Sequence, residues 1–467
     1  MYIEQIYTNC LSEAAYYIES NGEAAIVDPL RDFDKYLNIA EKREAKIKYV
    51  FETHFHADFV SGHIDLAAST GAKIIFGPGA ETNYKVYNAH DGEIFKLGNI
   101  QIKAIHTPGH TLESTCYLLY DESGKANAIF TGDTLFVGDV GRPDLSSGGL
   151  SSEDLAGIMY DSIQNKIMPL ADDIVVYPAH GPGSSCGKNM GPETQSTIGN
   201  EKQKNYALQP QSKEDFIKAV TNGLKDAPKY FSLNAKMNKQ GYEDIAEIKK
   251  HGLKPLTVAE FKALLKNDAY ILDTRNATVF TQGFIPGSVS VGLEGRFAEW
   301  AAMIVPFDRD IVLVTEEGKE EESLIRLSRV GFEKIVGFLK GGYQAWVSAG
   351  EKSDMIIDIE ADELVMDLPY DNNLVVLDVR KEAEFAGGHL ENALNIPTEQ
   401  FTDITQISQL EDNQNLYIHC AGGYRSVIAA SLLKKQGFNN LRNILGGWSK
   451  IKDQKNIKVL KEPGMLN

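Results

Sequence analysis

Over its first part the chain alternates short apolar runs with polar or turn-rich stretches: AAIVDP, IKYVFETH, KIIFG, NIQIKAIHTPGH, ANAIFTGDTLF and DIVVYPAH. Runs of this length, bounded by turn formers, predict β-strands interleaved with helices. His54, His110, Asp133 and His180 all stand just past the ends of such runs. Loops held by a rigid sheet are where α/β proteins commonly place their chemistry. After His180 the segment GPGSSCGKNMGPETQ predicts a loop, and polar helical sequence continues to about residue 252. From Thr257 the pattern restarts with TVAEFKALLKNDAYILDTR, a helix followed by a buried strand.

This second pattern occurs twice. Sliding the chain by 105 residues, the separation of Asp273 from Asp378, also brings Arg275 onto Arg380, Gly283 onto Gly388 and Thr315 onto Cys420. GFEKIVGFLKGGYQAW is echoed by GFNNLRNILGGWSKI. The expected organisation is a first domain over 1–252, including a helical extension, and two homologous α/β domains over 253–352 and 358–467. The join falls near the polar EKSDMIIDIEADE.

Composition narrows the function classes. A chain of 467 residues exceeds one core, and 43% hydrophobic with 24% charged residues describes an ordinary globular protein. No apolar run is long enough for a membrane span. A formal charge of −18 argues against nucleic acid as a partner, since phosphate neutralisation needs clustered Lys and Arg. The amino end shows no basic segment followed by an apolar run and cleavage site, so the expected location is cytoplasmic, with no membrane partner. Four cysteines without CxxC spacing make neither a disulfide framework nor a thiolate zinc site.

The segment THFHAD offers His54, His56 and Asp58 at alternate positions after a strand, and TPGHT, TGDTLF and YPAHG add His110, Asp133 and His180. Imidazole and carboxylate suit zinc, iron or manganese. Isolated turn histidines would not come in this order and spacing. The motifs resemble the metallo-β-lactamase superfamily, which implies an α/β fold of the αββα sandwich type followed here by the two further α/β domains. Two-metal hydrolases of that superfamily usually read HxHxDH, whereas this chain has Phe59 at the last position. A Phe has no lone pair, so one metal ion is expected rather than two. The departure resembles the persulfide dioxygenases. That resemblance implies one Fe(II) per chain held by His54, His110 and Asp133, with His56, Asp58 and His180 orienting ligands or water behind them. Arg142 could pair with a carboxylate or phosphate of a thiol carrier or bridge within its own loop, and Cys186 could approach the substrate sulfur or simply pack. His63 is expected to cap or pack at a helix start.

In LYIHCAGGYRS an apolar strand ends at Cys420, a glycine loop follows, and Arg425-Ser426 opens a helix. Loop N–H groups, the positive helix end and Arg425 would all favour a thiolate at Cys420 and cradle a persulfide. Gly422, Gly423, Tyr424 and Ser426 are candidate substrate contacts. The loop resembles the rhodanese CxxGxRS signature, and VLDVR and the terminal LGGW agree with it. Asp378 and Arg380 are expected to brace the fold. In the earlier repeat TEEGKEEES puts Thr315 at the cysteine position and Glu320 at the arginine position, so that repeat is expected to be structural or to serve in docking.

Together these resemblances imply a dioxygenase that converts a small thiol persulfide, of glutathione, coenzyme A or a similar carrier, and O2 into sulfite and free thiol. Cys420 would transfer sulfur to or from sulfite and thiosulfate. The alternatives are a dinuclear zinc thioester hydrolase of the glyoxalase II type and a sulfur-carrier module. The resemblance also implies a homo-oligomer.

Overall fold

The structure is a computed structural model, described over residues 1–145, 149–224 and 226–462. The chain divides into two compact bodies, Met1–Ile245 with Ser328–Gly331, and Ala246–Leu327 with Phe332–Asn467. The two repeats expected from the sequence therefore share one body.

The first body contains two six-stranded sheets. One runs β1 (Tyr2–Thr8), β2 (Glu13–Ser20), β3 (Glu23–Val27), β4 (Lys46–Phe51), β5 (Lys73–Phe76) and β6 (Tyr87–Asn88), in spatial as in chain order. The other runs likewise through β7 (Ile94–Leu97), β8 (Ile100–His106), β9 (Thr115–Tyr120), β10 (Ala126–Gly132), β11 (Val175–Pro178) and β12 (Ser196–Thr197). Side chains alternate between the two faces of each strand. Tyr16, Val27 and Phe51 thus meet Ile102, Tyr117 and Phe130 in one core. Tyr17 and Ile26, on the other face, pack against Tyr36 and Leu66 of the helices Asp34–Lys42 and His63–Thr70. Leu118, Ile129 and Val176 pack outward on Met159 and Phe216 of helices Ser152–Ser162 and Lys213–Thr221. The layers are helix, sheet, sheet, helix.

The helical extension has a specific task. From helix Phe231–Gln240, Asn238 donates to the carbonyls of His56 and Phe59, 2.8 Å each, and accepts from Ser61 N at 2.9 Å. One amide thus pins the HFHADFVS segment at three points.

In the second body each repeat forms a five-stranded parallel sheet. The first comprises β13 (Pro255–Leu256), β14 (Tyr270–Asp273), β15 (Val289–Ser290), β16 (Ile311–Val314) and β17 (Ile335–Leu339), in the order β13-β17-β16-β14-β15. The second has β18 (Ile357–Ile359), β19 (Leu374–Asp378), β20 (His389–Leu390), β21 (Leu394–Asn395), β22 (Asn415–His419), β23 (Leu441–Ile444) and β24 (Val459–Leu460). Its sheet order is β18-β23-β22-β19-β21, with β20 and β24 paired apart. The two sheet orders correspond strand for strand. β18 lies inside the segment expected as a join, because three residues are too few to display a period of two.

The repeats also share a brace. Arg275 forks onto Asp273 and donates to the Gly283 carbonyl at 2.9 Å; Arg380 forks onto Asp378 and donates to the Gly388 carbonyl at 2.8 Å. Among the described residues no helix is long and apolar enough to cross a membrane.

Candidate functional site

The ends of β4, β10 and β11 and the loop between β8 and β9 bring the predicted residues together. His110 Nε2 lies 3.3 Å and His54 Nε2 3.8 Å from Asp133 Oδ2. His180 Nε2 is 3.5 Å from Asp133 Oδ1 and 3.4 Å from Asp58 Oδ2. His54, His110 and Asp133 form one group whose ligand atoms lie within 4.8 Å of one another, and His56, Asp58 and His180 form another. All six are buried. Among the described residues, both oxygens of Asp133, Asp58 Oδ1 and His180 Nε2 find no hydrogen-bond partner. Buried carboxylates without donors are costly, and a cation between them resolves the cost. The donor set therefore fits a metal ion.

Backbone and side-chain partners leave the ligand nitrogens available. His110 Nδ1 sits 2.8 Å from the Arg142 carbonyl, which can only accept, so Nδ1 carries the proton and Nε2 keeps its lone pair. His180 Nδ1 faces the Ser12 carbonyl at 3.2 Å in the same way. At His54 the device is a relay. Thr53 Oγ1 donates to Asp28 Oδ2 at 2.8 Å and so accepts from His54 Nδ1 at 3.0 Å. Burial holds the His54 imidazole well below its ordinary range, reinforced by the neighbouring histidines, so it is neutral and able to ligate. Burial depresses His180 as well, but Asp58, Asp133 and Glu13 outweigh it and push it up to about 9. The pocket thus draws positive charge, whether a proton or a metal ion.

Sequence reasoning missed the layer behind. Asp28 also accepts from Thr53 N at 2.8 Å and faces His56 Nε2 at 3.1 Å, with Glu52 Oε2 3.8 Å from the same nitrogen. Asp28 closes AAIVDP at a strand end, the same signal that marked the candidate ligands. Phe59 is fully buried with its ring 4.3 Å from His56, so an aromatic face occupies the place where a further imidazole would stand. His63 packs at its helix start, bonded to Tyr84 Oη at 2.7 Å.

Arg142 reaches the site through its backbone. Its carbonyl holds His110, and its N donates to Cys186 O at 3.0 Å. Its guanidinium forks onto Asp144 at 2.6 and 2.7 Å, a bridge within the loop. Gly141 is needed beside it: a Cβ there would stand 2.1 Å from the Asp133 carbonyl and 2.9 Å from His110 Nδ1. Cys186 groups with Asp133 and His180. Burial, then Asp58 and Asp133, push its thiol well above the ordinary range, so it is protonated.

The second site is the Cys420 loop. Cys420 follows β22, Gly423 N donates to its Sγ at 3.0 Å, and helix Tyr424–Lys435 starts there with Gly423 at φ 112°. Ser426 Oγ lies 3.7 Å from Sγ and donates to Asn443 Oδ1 at 2.7 Å. A Cβ on Gly447, at φ 53°, would come 2.3 Å from the Cys420 carbonyl, which explains the glycine pair of LGGW. Arg425 differs from expectation. Its guanidinium forks onto Glu384 at 2.6 and 2.8 Å, so most of its charge is spent on a carboxylate rather than on the sulfur. In the first repeat Thr315 follows β16 at the corresponding place, ahead of helix Glu320–Ser328 with three glutamates in its first turn.

Comparison with known proteins agrees with both halves. The metallo-beta-lactamase superfamily model matches residues 8–180, and the rhodanese-like domain model matches 257–349 and 360–454. The crystal structure of a metallo-beta-lactamase from Staphylococcus aureus is 30% identical, covering 73% of this chain and 98% of that one with a TM-score of 0.64. ETHE1 from Myxococcus xanthus is 27% identical over 51% of this chain and 98% of that one, with a TM-score of 0.45. A probable hydroxyacylglutathione hydrolase of Schizosaccharomyces pombe is 36% identical over 33% of this chain and 58% of its own length. The cytoplasmic hydroxyacylglutathione hydrolase of Arabidopsis thaliana is 35% identical over 37% and 65%. The chain thus spans less than two thirds of these curated relatives.

Proposed function

The chain belongs to the metallo-β-lactamase superfamily and carries two rhodanese-like domains, and from that premise we propose that it is an iron-dependent persulfide dioxygenase with a sulfur-transferring cysteine. The observation that carries the reading is Phe59 beside an intact His54, His110 and Asp133 group. Two imidazoles and one carboxylate suit a single ferrous ion with positions left open. Ferrous iron, when bound, supplies the redox chemistry that lets O2 react with a persulfide. The net reaction takes R–S–SH, O2 and water to R–SH, sulfite and two protons.

The residues of the chain do the rest. His54, His110 and Asp133 hold the ion, while Thr53 and the Arg142 carbonyl fix the two imidazole tautomers. His180, beside Asp133 Oδ1, and Asp58, which it faces at 3.4 Å, relay the protons released. At the second site the Cys420 thiolate takes the outer sulfur of a persulfide, and sulfite removes it as thiosulfate; the reverse direction loads Cys420 from thiosulfate.

A second reading has its own support. Asp58, Asp133 and His180 retain buried atoms without partners among the described residues, and the curated relatives are hydroxyacylglutathione hydrolases, so a dinuclear zinc thioester hydrolase is the competing reading. Metal content and oxygen uptake separate the two. On anaerobically purified protein with glutathione persulfide, one iron per chain and uptake abolished by His110→Ala support the dioxygenase. Two zinc ions, no uptake and thioester cleavage refute it.

A further inference from the structure

The Cys420 loop borders a cleft of about 250 Å³, and the repeat without a cysteine builds the facing wall. Asn276, Thr278 and Glu294 come from that repeat; Gly422, Gly423 and Tyr424 come from the loop. Both belong to the same compact body. Two hydrogen bonds fix their register: Tyr424 Oη donates to the Gly292 carbonyl at 2.7 Å, and Ser290 N donates to Ser431 Oγ at 3.0 Å. Gly423, on the cleft wall, is the residue whose N–H touches the Cys420 sulfur. A molecule seated in the cleft therefore lies beside the loop that carries Cys420, at Gly423 next to its sulfur, and against the other repeat.

The charges are one-sided. Glu294 is the charged residue lining the cleft. The neighbouring guanidiniums are engaged: Arg425 by Glu384, and Arg326 by the Leu293 and Gly295 carbonyls and by Glu322 at 3.4 Å. A small dianion such as thiosulfate meets the Glu294 carboxylate on the cleft wall, and like charge disfavours its approach. A larger thiol bearing amides and an ammonium group meets polar side chains and a matching carboxylate.

We infer that this cleft binds the body of a carrier thiol, a peptide-like persulfide whose ammonium group faces Glu294, and that the repeat without a cysteine sets the donor preference of Cys420. The inference rests on the reading of Cys420 as a sulfur acceptor. The Cys420 thiolate attacks the outer sulfur of R–S–SH, the carrier S–S bond breaks, and a new S–S bond forms to Cys420. The proton stays on the transferred sulfur, the carrier leaves as R–S⁻, and there is no net oxidation.

The test measures sulfur loading of Cys420 in the full chain, by intact mass over time, with glutathione persulfide and separately with thiosulfate as donor. Glu294 is exposed, so Glu294→Gln and Glu294→Lys leave the core intact. In Glu294→Lys the KM for glutathione persulfide should rise and that for thiosulfate fall, each by about tenfold, with kcat kept and Gln intermediate. Both donors shifting in the same direction, or neither shifting, overturns the inference. Loading that persists in Cys420→Ser, or wild type that loads from neither donor, overturns instead the reading of Cys420 on which it rests.

Discussion

Asp28→Asn tests whether the relay behind His54 controls metal binding. Asp28 sits at φ 51°, a left-handed position that Asn tolerates as well as Asp, so the backbone has no reason to move. What changes is the direction of one hydrogen bond. In the wild type both Asp28 oxygens accept from Thr53, and the hydroxyl, its proton given to Asp28, accepts from His54 Nδ1. A carboxamide NH2 facing Thr53 Oγ1 reverses this: the hydroxyl accepts from the new amide and donates to His54 Nδ1, so the imidazole proton moves to Nε2, the ligand nitrogen. The charge facing His56 Nε2 at 3.1 Å also disappears. Loss of such a supporting partner weakens metal binding about 10–100-fold, or about 1.4–2.7 kcal/mol. The assay is ferrous ion retention against a graded chelator under anaerobic conditions, with Thr53→Ser, which keeps the hydroxyl, as the control. Iron held equally by wild type and Asp28→Asn would refute the tautomer argument. Equal loss in Thr53→Ser would show that packing, not the relay, is at stake.

Three further outcomes follow from the same geometry. Phe59→His should let the chain hold a second divalent ion beside Asp58 and His180, read as two metals per chain by elemental analysis; a stoichiometry that stays at one contradicts the role given to Phe59. Gly447→Ala puts a Cβ 2.3 Å from the Cys420 carbonyl at a left-handed position. It should cost about 1–2 kcal/mol in backbone strain alone and lower Cys420 loading while oxygen uptake stays; unchanged loading would show that the loop tolerates the shift. Burial, only partly opposed by Lys35 and His180, pushes Glu13 up to about 8 from 4.5. Its contribution to stability is therefore fully present below the unfolded value and lost as pH rises through 8. Glu13→Gln removes this dependence, so its melting temperature should gain on the wild type between pH 4.5 and pH 8; parallel curves would show Glu13 ionised in the fold.

What the sequence revealed, and what it hid, depends on distance along the chain. The candidate ligands were legible because each follows its own strand within a few residues, and strand ends are local signals. The repeat was legible because Asp273-Arg275 and Asp378-Arg380 form braces between residues two apart. The supporting residues were hidden because their partners are remote: Asn238 reaches back 182 residues to His56, and Glu384 lies 41 residues from the Arg425 it neutralises. The latter pairing changed the chemistry read from the loop, since an arginine in a signature says nothing about which anion it has already met. Arg142 was singled out for its side chain, whereas its backbone carbonyl, invisible to any motif, does the positioning.

The repeat without a cysteine keeps the strand order, the Asp273-Arg275 brace and the close approach of Gly342 to the Thr315 carbonyl. Its frame thus stands without a reagent. For protein engineering this makes residues 253–352 a blank cartridge of known dimensions. Thr315→Cys alone would install a thiol beneath a crown of glutamates, whereas grafting the whole CAGGYRS loop onto the same frame would transplant the cradle along with the sulfur.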